Sequence, residues 1–470
     1  NRHFCCSPSP HHSACTRHSS TISQSLASLA TMGSISSPSL IIDLANAVSS
    51  AAKNLDTQLQ SQGFPQPSFE ADGPTYVVPK DAPKAAHEAR VVTAEAALKL
   101  FNLVSGPSEL LPNMTASYHT IFALQWLHHF DVFSHIPLDG SLSYEKLATK
   151  ANVPESLLKS VARMAMTSNI LAEPTTGQVA HSANSAMFVK FPNMRDWASY
   201  MFTASIPTAS AMVQATEKWP GSVKKTETAY NIAFNHDLPF FDHLSQSPVM
   251  TKQFSGYMRS VTDGQGMDLS HLVNGFDWAS LPDKSLIVDI GGSAGHASYA
   301  LAAAYPHLRF EVQDLDTVVN GEKAAKEHEE AVSKHVLGTD NRVTFKAHNF
   351  FEAQPTKDAT VYMLRMIIHD WPDAEAKTIL GNLVPALESA KATLLIMDTV
   401  LPSPGSIPSV RERVIRTRDL TMRQVFNAKE RGVDDWEAIL RETDSRLTLK
   451  NLRQPEGSNM CLLTISLQDD

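Results

Sequence analysis

The sequence predicts an α/β protein: a doubly wound parallel sheet in the second half, preceded by a helical, winged-helix-like domain. Three observations carry this. From Ser285 onward, short apolar runs alternate with helical patterns, as in a parallel sheet covered on both faces. The stretch "LIVDIGGSAGHASYALAAAYP", Leu286 to Pro306, reads as strand, glycine turn and helix. Upstream, "SLSYEKLATKANVPESLLKSVARMAMTSNILAEPTTGQVAHS" reads as helix, turn, helix, strand-like run and turn, the winged helix-turn-helix pattern.

Taken in order, residues 1–85 are expected to be tail and linker, partly disordered, with one helix. Residues 1–42 contain no acid and are rich in Ser and His. They read either as a transit-like presequence or, the favoured reading, as an extension (1–31) before a natural start at Met32. In "SSPSLIIDLANAVSSAAKNLDTQLQSQG", Ser-Pro precedes an apolar-periodic run and Gly follows it, which predicts one amphipathic helix. Residues 63–84 read as a Pro-rich linker. Residues 86–205 are expected to form a helical, winged-helix-like packing or dimerisation domain, and the aromatic-rich 206–280 connecting helices lining a substrate pocket. Residues 281–470 are the catalytic domain, with strands at "SLIVDI", "RFEVQDL", "RVTFKAHNF", "ATVYMLRMII", "ATLLIMD" and "CLLTISL".

A chain of 470 residues exceeds one typical core, which supports this division. The net charge of −9 argues against a general nucleic-acid binder. No apolar run is long enough to span a membrane. Three of the four cysteines (Cys5, Cys6, Cys15) precede the presumed core and only Cys461 lies within it, so a disulfide framework is not expected and a reducing, cytoplasmic setting fits.

In open α/β sheets, ligands lie beyond the carboxyl ends of the strands. The apolar runs here deliver Asp289, Asp314, Asn349, His369 and Asp398 near those ends, which suggests one polar crevice. The glycine turn "DIGGSAG" lets backbone approach a ligand closely, and the helix after it offers unpaired N–H groups. Dinucleotide spacing fails, because with Gly292 and Gly295 as second and third glycines the first falls on Ile290. Asp289, two residues before Gly291, suits a ligand with an amine as well as a carboxylate. Asp314 lies 19 residues beyond Gly295, where a carboxylate accepts ribose hydroxyls, and Asp316 is the better candidate for a helix cap. Adenosine plus an amino acid describes S-adenosylmethionine (SAM).

"LRMIIHDWPDAEA" supplies a second element. His369 ends a strand in this crevice, and an imidazole of pKa near 6.5 suits proton abstraction. Asp398 and Glu430 ("NAKERGVDDW") are candidates to orient it and stabilise its cation. Read alone, Glu430 is a solvated charge between Lys429 and Arg431.

With these residues assembled, residues 90–470 resemble the SAM-dependent O-methyltransferases of plant and fungal secondary metabolism, the caffeate/flavonoid type, and among them fungal enzymes that methylate polyketide phenols. The resemblance rests on "VDIGGSAGHASYALAAAYPHLRFEVQDL", "LRMIIHDWPD", "MDTVLP" and "NAKERGVDDW" in that order. It implies a class I SAM methyltransferase sheet of seven strands, one antiparallel, and a winged-helix domain that dimerises without binding DNA. It implies a small aromatic substrate, a homodimer, and no nucleic-acid, membrane or metal partner. Carried over residue by residue, Gly291, Gly292 and Gly295 line the cofactor site with Asp289, Asp314 binds ribose, and Asn349 and Phe350 flank adenine. Arg365 lies near the cofactor and Asp370 helps to set its pocket. His369 is the general base, flanked by Asp398 and Glu430. Met258 lies near substrate and methyl group. Two positions depart from the family pattern: Ser293 stands for the usual third glycine, and Asn349 for the usual aspartate.

Phe202, Trp219, Tyr230, Phe234 and Tyr257 are candidates to line the acceptor pocket, although such spacing is also that of core residues. The alternative function is a winged-helix DNA-binding regulator with an effector-binding α/β domain. It needs a basic recognition surface, and the second helix offers only Lys159 and Arg163.

Overall fold

A computed structural model describes residues 39–262, 264–322, 325–326, 328–329 and 342–468. The readings of residues 1–31 and of a start at Met32 lie outside the described residues.

The alternating second half folds as one mixed sheet of seven strands. They are β4 (Leu286–Ile290), β5 (Arg309–Asp314), β6 (Val343–Ala347), β7 (Val361–Arg365), β8 (Thr393–Asp398), β11 (Leu447–Arg453) and β12 (Cys461–Leu467). Their order is β11-β12-β8-β7-β4-β5-β6. All pairs are parallel except those of β12, which runs antiparallel to both β8 and β11. The sheet is thus mixed at one edge, and β11, whose "LTLKNLR" is mostly polar or half-exposed, escaped the apolar-run reading. Strand direction reverses its spatial progression at β4, between β5 and β7, and a ligand crevice belongs at that switch.

Side chains alternate across each strand. Val288, Ile290, Leu364 and Ile396 face one core, with Ile379, Leu380 and Leu383 of the helix Asp373–Ala390. Ile287, Met363, Leu395 and Met397 face the other, with Leu301 of the helix His296–Ala304. Burial on both faces is why these strands read as continuous apolar runs.

For the helices used below we write α1 (Leu40–Ser61), α2 (Lys84–Ser105), α3 (Leu110–His129), α4 (Tyr144–Ala151), α5 (Glu155–Met166), α6 (Pro192–Tyr200), α7 (Ala229–Phe234), α8 (Pro248–Thr262), α9 (His296–Ala304), α10 (Asp373–Ala390), α11 (Ser409–Phe426) and α12 (Val433–Thr443). The proline-rich stretch after α1 is not a free linker. Ala183 donates its N–H to the Phe69 carbonyl at 2.9 Å, Glu70 bridges Ser182, and Val78 is buried.

Helices α4 and α5 pack beside a small sheet of β1 (Ser141–Ser143), β2 (Ala172–Thr175) and β3 (Gln178–Ala180), in the order β1-β3-β2. Ser143 caps α4 by accepting the Lys146 N–H, and Asn152, at φ +53°, ends the helix. The two basic residues of α5 are engaged within the fold. Arg163 makes a two-pronged pair with Glu173 at 2.9 and 3.0 Å, and Lys159 lies over the Tyr144 ring. Further on, α6 and α8 pack closely because Gly256 lacks a side chain: a Cβ there would meet Asp196. Among the described residues, no helix is long and apolar enough to cross a membrane, and Cys461 is free and buried.

Candidate active site

The turn between β4 and α9 is built from left-handed backbone. Gly291, Ser293 and Gly295 have φ of +71°, +52° and +82°. Gly291 and Gly292 donate their N–H groups to the Gln313 carbonyl of β5, at 2.7 and 3.1 Å, which draws the turn down onto the sheet. A Cβ on Gly292 would lie 2.7 Å from Asp289 Cγ and 2.8 Å from Val312, so only glycine fits. No side chain caps α9, which starts directly after Gly295 of this turn. Ser293 takes a glycine conformation at a cost of about 1 kcal/mol. Its own N–H donates to Asp314 Oδ2 at 2.9 Å, which ties the turn to the end of β5.

Asp314 also accepts the Leu315 N–H at 2.8 Å on Oδ1. A carboxylate offers about four acceptor positions, so capacity remains for two hydroxyls. Asp316 is the first residue of its short helix, not its cap, and bonds the Asn320 amide instead. Asp289 is buried beneath the turn and accepts the Ser298 hydroxyl at 2.7 Å; burial pushes its carboxyl up to about 6. Arg365 is its nearest countercharge, held by the Met267 carbonyl at 3.1 Å, while its Nε is buried without a hydrogen-bond partner. Asn349 lies two residues past β6, and its amide oxygen accepts the Phe351 N–H at 3.1 Å. Phe350 flanks Gly291 and meets Trp371 edge-on.

His369 does not end a strand. Strand β7 stops at Arg365; Met366, at φ +56°, turns the chain, and His369 sits in the single 3-10 turn Ile368–Asp370. This detour aims the ring back over β8. Its backbone N–H donates to Asp398 Oδ2 at 3.2 Å. Its Nδ1 lies 3.0 Å from Glu430 Oε1 and 3.3 Å from Asp398 Oδ1. Both carboxylate side chains are fully buried, so Glu430 is not a solvated charge. A two-residue parallel pairing of β9 (Val400–Leu401) with β10 (Arg431–Gly432) brings Glu430 to this point. Asp419 of α11 fixes its N–H at 3.1 Å. Burial opposes charge on His369, yet Asp398, Asp370 and Glu430 outweigh it and raise the imidazole to about 10. Burial lifts Asp398 to about 6, against the pull of His369.

Asp370 Oδ1 lies 3.6 Å from His369 Nε2, the ring nitrogen that Glu430 and Asp398 leave free. Burial raises its carboxyl, with Lys225 and Arg418 as nearby cations.

Two arginines were missed in the sequence. Arg431 is fully buried and donates to the carbonyls of Ile368 and Trp371, each at 3.0 Å, and to Asp373 at 2.7 Å. It therefore clamps the His369 turn at both ends. Within "NAKERG" nothing but its place beside a candidate acid marked it. Arg418 of α11 lies 3.8 Å from Glu430 and was not singled out at all.

The aromatic candidates divide. Tyr257 of α8 stacks on Tyr200 and tilts against Trp197. Met258 is its half-buried neighbour. Phe234 and Tyr230 of α7 pack on one another and on His243. Phe202 is buried beside His128, and Trp219 carries Lys218 over its ring. The sequence shows no metal spacing, but among the described residues the fold assembles one cluster of that kind: the ligand atoms of His369, Asp398 and Glu430 lie within 4.8 Å of one another.

The residues at the turn fit SAM. They offer a glycine cradle with no room for a Cβ, an uncapped helix start, and a carboxylate at the β5 end with acceptor capacity to spare. Sheet order and site together define the class I SAM-dependent methyltransferases. The chain belongs to the O-methyltransferase family, whose O-methyltransferase domain model matches residues 220–444. The O-methyltransferase aurJ of Gibberella zeae is 99% identical over 439 residues, 93% of this chain and 100% of that protein. The O-methyltransferase pgmB of Aspergillus terreus is 45% identical over 442 residues, 94% of this chain and 98% of its own. In fold, the chain is similar to LepI in complex with SAM (TM-score 0.65, 23% identity, 90% of this chain and 100% of that one). It is likewise similar to OxaC in complex with sinefungin and meleagrin (TM-score 0.66, 20% identity, 90% and 99%). The chain is thus a SAM-dependent O-methyltransferase.

Proposed function

We propose that the enzyme methylates a phenolic hydroxyl of a small aromatic metabolite, of the fungal polyketide type, with His369 as general base. One observation carries this reading. Two buried carboxylates hold His369 Nδ1, which leaves Nε2 to face an acceptor hydroxyl. The fungal origin of the relatives supports the substrate class.

When bound, SAM supplies an electrophilic methyl group on a sulfonium. The chain's residues position it and handle the proton. The backbone of Gly291, Gly292 and Gly295 holds the amino-acid end, with Asp289 and Arg365 below. Asp314 takes the ribose, and Asn349 and Phe350 flank the adenine. Tyr257, Met258 and Phe234 contribute to the acceptor pocket. His369 Nε2 would take the proton of the acceptor hydroxyl as the hydroxyl oxygen receives the methyl group, Glu430 and Asp398 would stabilise the imidazolium that forms, and a neutral thioether would remain in place of the sulfonium. Asp370 borders the reacting atoms and the cofactor pocket. We assign the reaction to the cytoplasm and the working form to a homodimer. An extended apolar face on α2 and α3 supports the latter.

His369→Ala is expected to lower kcat by about 10²–10⁴-fold while SAM affinity, read by calorimetry, stays unchanged. Turnover at the wild-type rate in that variant removes the base assignment. The geometry of the same cluster also admits a divalent ion. Turnover that survives EDTA keeps the base reading; turnover lost to EDTA and restored by a divalent ion makes the cluster a metal site.

A further inference from the structure

Arg418 lies between the two halves of the site. Toward the base, its Nε is 3.8 Å from Glu430 Oε1, and its charge is felt by Asp398 and Asp370. Toward the aromatic wall, its charge is felt by Tyr257, and Met422, one turn along α11, packs into the same aromatic cluster.

The guanidinium is poorly used by the protein. Its hydrogen bond runs from Nη1 to the Met267 thioether at 2.9 Å, a weak acceptor. Among the described residues no carboxylate lies within hydrogen-bond reach, since the Glu430 contact is longer than a hydrogen bond. Two other arginines of this helix and its exit behave differently: fully buried Arg431 binds two carbonyls and a carboxylate, and Arg416 binds Glu412 and the Pro402 carbonyl. Arg365, beside Asp289, has spare donors as Arg418 does. The Arg418 side chain keeps 18% of its surface exposed, so its spare donors remain open to a further partner. Charge balance alone leaves these donors unused.

We propose that Arg418 binds an acceptor oxygen, a ring carbonyl or phenolate, placed next to the hydroxyl that His369 deprotonates. This rests on the methyl-transfer reading above and narrows it: the acceptor is a hydroxyaryl ketone or related oxygenated ring, not a simple phenol. The guanidinium fixes which hydroxyl meets Nε2, and it draws electron density from the neighbouring oxygen, which eases loss of the hydroxyl proton.

Two probes differ in one carbonyl: 8-hydroxy-1-tetralone and 5,6,7,8-tetrahydro-1-naphthol. Their affinities for the enzyme loaded with S-adenosylhomocysteine are measured by calorimetry, with methylation followed in parallel. The wild type is expected to bind the ketone about 10–100-fold more tightly, the usual effect of a charged hydrogen bond. Arg418→Met removes that preference and leaves S-adenosylhomocysteine affinity and melting temperature unchanged; Arg418→Lys restores part of it. The proposal falls if the wild type does not prefer the ketone, or if Arg418→Met weakens both probes alike. It also falls if the variant loses S-adenosylhomocysteine binding. His369→Ala separates the two readings. It keeps the ketone preference if Arg418 acts as proposed, whereas its turnover tests the base alone.

Discussion

At the scale of single residues, the chemistry of His369 is set by what surrounds it. Burial alone would keep the ring neutral. Asp398, Asp370 and Glu430 reverse that and hold the proton to about pH 10. The sign of the consequence is definite. Only the neutral ring accepts a proton, so kcat/KM for the acceptor rises with pH between 7 and 9 and levels off at or below about 10. The sulfonium of bound SAM adds a positive charge and moves the inflection down, not up. Asp398→Asn removes the strongest of the raising charges and shifts the inflection lower still, with a smaller plateau. A rate profile that is flat or falling from pH 7 to 9 contradicts this account. The same proton couples to folding. The ring's folded pKa lies above its ordinary 6.5, so its contribution to stability is full below that pH and is lost as pH rises through about 10.

At the scale of elements, α2 and α3 carry a surface that a lone chain does not explain. Leu111 of α3 is 71% exposed, Met114 59% and Phe122 48%, with Phe101 and Val104 of α2 beside them in sequence. Scattered exposed apolar residues are ordinary, but such a density on two successive helices is what the proposed homodimer would bury. Leu111→Glu together with Phe122→Glu is expected to convert a dimer to a monomer in light scattering, with little change in helix content. A wild-type chain that is monomeric at micromolar concentration sinks the homodimer. The elements also show what could be read from the sequence. The parallel strands β4, β5, β7 and β8 were legible because their runs are largely buried, and edge strand β6, though half-exposed, because Val343 and Phe345 alternate with polar residues. So were Asp289, Asp314 and Asp398, which close or nearly close such runs. Strand β11, half-exposed, carries no such pattern. His369 was legible as a residue but not as a position, because Met366 turns the chain left-handed where the apolar run suggests continuing strand. Glu430 and Arg431 look solvated in "NAKERG"; only the β9–β10 pairing, 31 residues apart in register, buries them. Arg418 sits in a basic stretch, "RERVIRTR", whose other members give no hint of which one faces inward.

At the scale of the whole molecule, the site depends on α11 being held at both ends. Its C-terminal half brings Arg418, Asp419 and Met422 to the crevice, and the chain then runs directly into Glu430. Its N-terminus is capped from far away in sequence. Glu95 of α2, 2% exposed, accepts the Ser409 hydroxyl at 2.8 Å and the Val410 N–H at 3.1 Å, and pairs with Lys99 at 3.1 Å. Burial works against the charge on Glu95, but these donors prevail and its carboxyl stays below the usual range. Helix α2 therefore caps the helix that carries Arg418 and Asp419, although the O-methyltransferase domain match begins only at residue 220. Glu95→Ala removes a helix cap and leaves buried donors unmatched, which costs about 1–2 kcal/mol. Denaturant unfolding should show that loss at pH 7 and a smaller one at pH 4, because a carboxylate with a lowered pKa stabilises above its ordinary pKa and ceases to as pH falls through the folded value. With α11 loosened, kcat should fall more than SAM affinity, since Arg418, Asp419 and Glu430 move with this helix while the glycine turn does not. Wild-type stability and kcat in Glu95→Ala would show that the clasp between α2 and α11 has no part in holding the site.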